Sequence, residues 1–235
     1  MALHTVLILC RDPARAMQWR GQLLATQQLN VVGITNMAQS ARDMLAQHDA
    51  DALLCDLRLI DGPTSGAIAR FRGNPNAEKP HIVMVVHDDD EPELLEALRS
   101  GADSFYVFGR GSDSLAGCVL KALTGESHIT PTVAAKVLRV FELNPSAPGP
   151  SAIGDMLDPL LLTPPEHKLL SRVAAGADLE QVADKDSVSL HSLATSVRGI
   201  YRKLRWTLRA GALSLQDGGA PDSAWMLKPA AGRNR

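Results

Sequence analysis

Cysteine is scarce in this chain, with three in 235 residues at positions 10, 55 and 118. Their spacing matches neither a zinc site nor a disulfide framework, so a reducing cytoplasm is the expected setting. No apolar run approaches the roughly 18 residues of a membrane span. The opening MALHTVLILCRDP places no basic stretch ahead of its apolar run, which argues against a signal peptide. No internal repeat is present, which excludes a solenoid. Neither charge dominates: 24 Lys and Arg stand against 26 Asp and Glu, a net charge of −2. Overall charge therefore speaks neither for nor against nucleic acid. The remaining composition is ordinary for a globular protein, at 45% hydrophobic and 21% charged residues. The length suits one or two domains.

The charges are unevenly distributed. Residues 1–142 carry 13 basic and 17 acidic side chains, and residues 151–235 carry 11 and 9. An acidic half followed by a mildly basic one suggests two domains with different partners. The first half alternates. Strands are expected at 6–9, 31–35, 51–57, 81–87 and 104–108. Helices are expected at 14–29, 38–48, 64–72, 92–100 and 113–124. Several strands are unbroken apolar runs, as in a parallel sheet covered on both faces. Five such units give a doubly wound α/β domain. A further helix is expected over 131–143, then a linker at 144–155, where NPSAPGPSAIGD is rich in Pro, Gly, Ser and Ala.

The second half reads as all helix. Thr163 and Glu166 frame Pro164 as a capping box, and Gly176 closes that helix. A second helix starts at an Asp178 cap, a third covers 190–205, and a fourth, shorter one covers 207–216. On 190–205 the residues Leu193, Val197, Ile200 and Leu204 form a core stripe. His191, Thr195, Arg198 and Arg202 are expected about opposite. Between 190 and 206 the chain has four Arg or Lys and no acid.

Together these residues resemble the NarL/FixJ response regulators. In the second half the resemblance rests on Leu162, Thr163, Pro164, Glu166, Leu170 and Gly176. It continues through Val182, Ala183, Ser189, Val197, Ile200, Lys203 and Leu204. It implies a flavodoxin-like receiver domain over 1–126, a helix and linker over 127–158, a LuxR-type helix-turn-helix over 159–216, and a tail over 217–235. It also implies that Asp56, at the end of the third strand, stands where receivers accept a phosphoryl group. The rest of that chemistry is replaced. Cys10 and Arg11 stand at the acidic Mg²⁺-holding pair, Val85 at the Thr/Ser, and Phe108 at the Lys. Pro13 fixes Asp12 one position too late to serve. Asp88, Asp89, Asp90 and Glu91 read as a solvated loop face.

The expected protein is thus a pseudo-receiver joined to a DNA reader, with no cofactor, no resident metal and no enzymatic role. Duplex DNA is the expected partner, contacted through His191, Ser192, Thr195, Arg198, Arg202 and Lys203. A homodimer is expected, joined around Leu208 to Leu215, with room for a protein partner at the receiver-like domain. Ala194 and Ser196 replace a Lys and a His common in the family, Asp184 and Asp186 would oppose DNA if they faced it, and Gly199 would let the helix approach a phosphate. Arg11 is expected to pair with Asp56 in place of a metal. The alternative is that Arg11 faces solvent and loop amides satisfy Asp56. Two rival functions stand beside this one: an interaction module with a vestigial helix-turn-helix, and a working phosphoreceiver at Asp56.

Overall fold

The computed structural model describes residues 3–71, 79–110, 114–143 and 161–217, with backbone alone for 208–217. The expected linker at 144–155 and the tail beyond 217 lie outside the described residues.

Strand β1 (His4–Leu9) has β2 (Leu29–Thr35) on one side and β3 (Ala52–Asp56) on the other. Beyond β3 come β6 (His81–Val86) and β7 (Ser104–Val107), giving a five-stranded parallel sheet in the order β2-β1-β3-β6-β7. The alternation of side chains along β1 explains why both faces must be covered. Val6 and Ile8 pack with Trp19 and Leu23 of α1 (Pro13–Leu24) and with Val119 of α5 (Leu115–Leu123). Leu7 and Leu9 point the other way. They join a core with α2 (Ala38–Gln47), α3 (Ser65–Phe71) and α4 (Pro92–Ser100). A two-stranded antiparallel pair, β4 (Arg58–Leu59) and β5 (Gly62–Pro63), follows β3.

The first helix is shorter than expected. It stops at Leu24, and Gln27 turns through a φ of 56° so that the chain can enter β2 at Leu29. At the other end Asp12 caps α1, accepting from the Ala14 amide at 2.9 Å, with Pro13 in the first turn. Gly101 ends α4 at a φ of 119°, a conformation that strongly favours glycine.

Helix α6 (Pro131–Leu143) packs against α7 (Pro164–Ala174). Then come α8 (Leu179–Asp186) and α9 (Leu190–Asp217). The capping box is present in both directions at Thr163 and Glu166. The separate fourth helix expected at 207–216 is instead the continuation of α9, which runs unbroken for 28 residues. Leu193, Val197, Ile200 and Leu204 are buried as the periodicity requires. One hydrophobic cluster runs from Leu9 and Leu53 in the sheet to Val137 on α6, Leu170 on α7 and Ile200 on α9. Among the described residues, no helix is long and apolar enough to cross a membrane.

Candidate functional site

Asp56 closes β3 in a buried position, 6% exposed. A buried carboxylate is costly unless it is paired or hydrogen-bonded. The partner is not the expected one. Arg11 contributes its backbone N–H, 2.7 Å from Asp56 Oδ2, while its side chain is exposed. The guanidinium comes from Arg15, whose NH2 lies 2.9 Å from the same oxygen. The pairing of Arg11 with Asp56 is therefore corrected to Arg15. Helix α1 starts at Pro13, so Arg15 lies in its first turn and points back over the end of the sheet, while Arg11 precedes the helix.

Arg15 is held from three sides. Its NH1 meets His87 Nε2 at 2.8 Å, and its charge lies over the Trp19 ring, 5.7 Å from the centroid. Arginine has no acceptor atom, so His87 Nε2 must accept. Phe108 packs edge-on against His87 at a centroid distance of 5.7 Å, and Val85 is buried beside Asp56 on the neighbouring strand. Thr64 Oγ1 donates to the Asp56 carbonyl at 2.5 Å and fixes the strand end. Sequence reasoning missed both Arg15 and His87. The signal available for Arg15 was its place in the first turn of the helix that Asp12 and Pro13 start, directly after β1.

A divalent cation takes several oxygen ligands, and these residues do not fit one. Asp56 Oδ2 already accepts two N–H groups, Glu91 in the same pocket is engaged by the amides of His87 and Asp88, and a guanidinium stands where cation charge would be needed. Among the described residues, no group of three or more His, Cys, Asp or Glu side chains is placed to share a metal ion. Cys10 is buried, donates to the Asp12 carbonyl at 3.2 Å, and precedes Arg11 at the same edge. Burial, joined by the Asp56 charge, pushes its thiol up to about 11, against the lowering effect of Arg15 and the Asp12 backbone. It stays protonated at neutral pH and is a poor nucleophile.

The acidic run after β6 is only partly a solvated face. Asp88 and Asp90 are exposed, but Asp89 is 8% exposed. Burial raises its carboxyl pKa, and side-chain interactions led by the Thr130 hydroxyl, with Asp88 and Thr132, outweigh that and hold it below the ordinary value. Glu91 accepts from the amides of His87 and Asp88.

On α9 the expected outward face divides. His191, Ser192, Thr195 and Arg202 are exposed. Arg198 is not: at 4% exposure it is buried against the receiver-like domain. Its outward placement is corrected. The reason is a second buried stripe, Ala194, Arg198 and Tyr201, one residue out of phase with the core stripe. The Ala194 carbonyl accepts from the Ser127 amide at 3.1 Å, Arg198 NH1 donates to the Ala122 carbonyl at 2.9 Å, and the Tyr201 hydroxyl donates to the His128 carbonyl at 2.8 Å. Lys203 is also turned inward, 2.6 Å from Glu166 Oε2 and 3.0 Å from the Leu161 carbonyl. At Gly199 an added Cβ would meet Glu166 Oε1 at 3.9 Å, an ordinary contact, so no close approach among the described residues requires this glycine. Asp186 pairs with Arg172 and Lys168 on α7, at 2.7 and 3.3 Å.

No family model matches the chain. The probable transcriptional regulatory protein NarL of Mycobacterium tuberculosis is 24% identical over 189 residues, covering 79% of this chain and 81% of its own. The oxygen regulatory protein NreC of Staphylococcus epidermidis is 24% identical over 179 residues, covering 76% of this chain and 80% of its own. Among solved structures, a LuxR-family response regulator from Aurantimonas sp. SI85-9A1 superposes with a TM-score of 0.52 at 16% identity, over 59% of this chain and 97% of its own. An RcsB response regulator solved with DNA gives 0.50 at 17% identity, over 87% of this chain and 93% of its own. These structures share the fold. The parallel α/β domain followed by a set of helices is the fold of these response regulators. In sequence the chain is similar to NarL and NreC over about three quarters of its length.

Proposed function

We propose that this chain is a cytoplasmic regulator of transcription that binds duplex DNA as a homodimer, and that Mg²⁺-dependent phosphorylation does not control it. The observation that carries the second half is the Arg15–Asp56 pair at 2.9 Å. Phosphoryl transfer to an aspartate depends on positioned cations that stabilise the developing charge. Here the Arg15 guanidinium caps one acceptor oxygen, Oδ2, and Cys10, Arg11, Val85 and Phe108 supply none of the missing chemistry. Control then falls to expression level, a protein partner at residues 1–126, or a small ligand. The 159–216 region binds DNA, the 127–158 region joins the two, and the chain has no catalytic role.

The DNA half rests on the relatives, which include transcriptional regulators and an RcsB solved with DNA. It also rests on the cationic, acid-free stretch 190–206 of α9. Arg202, Thr195, Ser192 and His191 lie on the exposed face, His191 against Glu126. Arg198 joins them only when α9 leaves the receiver-like domain.

Two measurements test the reading. Incubation with acetyl phosphate or beryllofluoride plus Mg²⁺ is expected to leave mass, oligomeric state and DNA affinity unchanged. A stable adduct on Asp56, or tightened DNA binding, overturns that half and revives the working phosphoreceiver. Mobility shifts with genomic fragments at two salt concentrations are expected to show salt-dependent binding. The engagement of Arg198 and Lys203 inside the protein favours the second reading, an interaction module with a vestigial helix-turn-helix. Absence of any DNA retention at low salt selects it.

A further inference from the structure

We propose that His81 makes the contact between α9 and the receiver-like domain sensitive to acid: protonation of its imidazole releases Arg198 and, with it, the helix that would read DNA. The inference rests on the DNA-binding reading only for what the released helix then does.

His81 is the first residue of β6 and Arg198 lies near the middle of α9, yet the Arg198 NH2 is 2.7 Å from His81 Nδ1. Both side chains are buried. A guanidinium only donates, so Nδ1 must be the accepting, unprotonated nitrogen in this arrangement. A protonated imidazole has no acceptor. Acid therefore does more than weaken this contact. It replaces a hydrogen bond with two cations facing each other at the same distance.

The surroundings sharpen the effect. Asp103, just ahead of β7, faces Arg198 with Oδ1 at 3.5 Å. Its Oδ2 accepts from the Ile82 amide at 2.7 Å, and its carbonyl accepts from Ser127 at 2.5 Å, so it cannot swing freely. With a neutral imidazole, one carboxylate faces one cation. With a protonated imidazole, the same carboxylate faces two, in a site largely closed to water, where screening is weak.

The other charged neighbours do not cancel this. The His81 amide donates to the Asp51 carbonyl at 2.8 Å, and the Asp51 carboxylate is engaged by Lys79 at 2.5 Å. Tyr201 contributes a phenol that burial pushes up, so it does not titrate here. His128 faces the interface with its carbonyl on the Tyr201 hydroxyl and its ring against Phe105. One pair acts in the opposite sense. His191 lies 3.0 Å from Glu126 and gains attraction when protonated. That histidine side chain is 63% exposed, however, and exposed pairs contribute little. The sign that results is a contact favoured while His81 is neutral and lost once acid protonates it.

Small-angle X-ray scattering of the full chain at about pH 7.5 and 5.5 reads the opening directly, without DNA. The wild-type radius of gyration is expected to rise on acidification. His81→Gln keeps a neutral acceptor and is expected to stay compact at both values. Arg198→Leu removes the cation that protonation would repel, and its dimensions are expected not to change with pH; it serves if His81→Gln does not fold. A wild-type chain that stays compact at the lower pH, or variants that expand as the wild type does, overturns the proposal. A mixed-sequence duplex followed by fluorescence anisotropy supplies the second readout, with an affinity gain of about tenfold expected on opening. Expansion without that gain upholds the His81 contact and counts against the DNA-binding reading instead.

Discussion

Arg15 is the side chain on which the character of the Asp56 site depends, and its removal has a definite signature. Arg15→Ala leaves a buried carboxylate with a backbone amide and no cation, which is expected to cost about 1–3 kcal/mol of stability. Asp56→Asn alone leaves the guanidinium short of its anion. The double substitution is expected to cost less than the two single losses added together, as measured by denaturant unfolding in a double-mutant cycle. Arg11→Ala is expected to change little, because its amide remains. Additive effects at Arg15 and Asp56 would mean that the pair has no energetic weight. A second residue-scale prediction concerns Asp51. Burial pushes its carboxyl up, but Lys79 and Thr5 outweigh that and bring it down to about 2 from an ordinary 3.8. Its contribution to stability is therefore whole above the ordinary carboxylate value and lost as pH falls toward 2. Asp51→Asn is expected to flatten that part of the acid denaturation profile, and an unchanged acid limb would refute the assignment. The sequence exposed Asp56 and the missing acids around it plainly. It could not choose between Arg11 and Arg15, which differ only in where α1 begins and which way its first turn faces.

Among the elements, the buried ones were the most legible. The inner strands are covered on both faces, so they must be apolar throughout, and that leaves an unbroken run in the sequence. Caps were legible for a similar reason: Thr163, Asp178 and Gly176 each supply an atom or a backbone angle that few residues can supply. Thr163→Ala is expected to cost about 1 kcal/mol, seen as a lower denaturation midpoint. The second buried stripe of α9 was not legible. Periodicity reports that a face is apolar, and Arg198 made this face look wet. A helix wedged between two partners has two dry sides, and the smaller one can be lined by an alanine, an arginine and a tyrosine if each polar group is met. Gly199 offers a test that separates folding from recognition. An added methyl group would meet Glu166 Oε1 at 3.9 Å, an ordinary contact. Gly199→Ala is therefore expected to stabilise the domain by up to about 1 kcal/mol. If it also weakens DNA binding, the glycine serves a close approach by the nucleic acid as well.

At the scale of the whole molecule, the cluster that joins the sheet to α9 means that the two halves share apolar contacts as well as polar ones. At neutral pH a single cooperative thermal transition is expected, and calorimetry resolving two well-separated transitions would contradict it. The unbroken course of α9 has a mechanical consequence. A helix of 28 residues is a rod about 42 Å long. The residues proposed to meet DNA sit near one end, and the segment proposed to pair two copies sits at the other. Rotation at one end is thus imposed on the other with no hinge between them, and the number of residues in the shaft sets their relative phase. One alanine inserted after Trp206 would turn the distal segment by about 100°, whereas four would bring it back within about 40°. Two copies clasped at their tails would then present their reading faces at the wrong azimuth in the first case and nearly the right one in the second. Binding to a single half-site should survive both insertions; binding to a paired site should fail with the first and largely recover with the second.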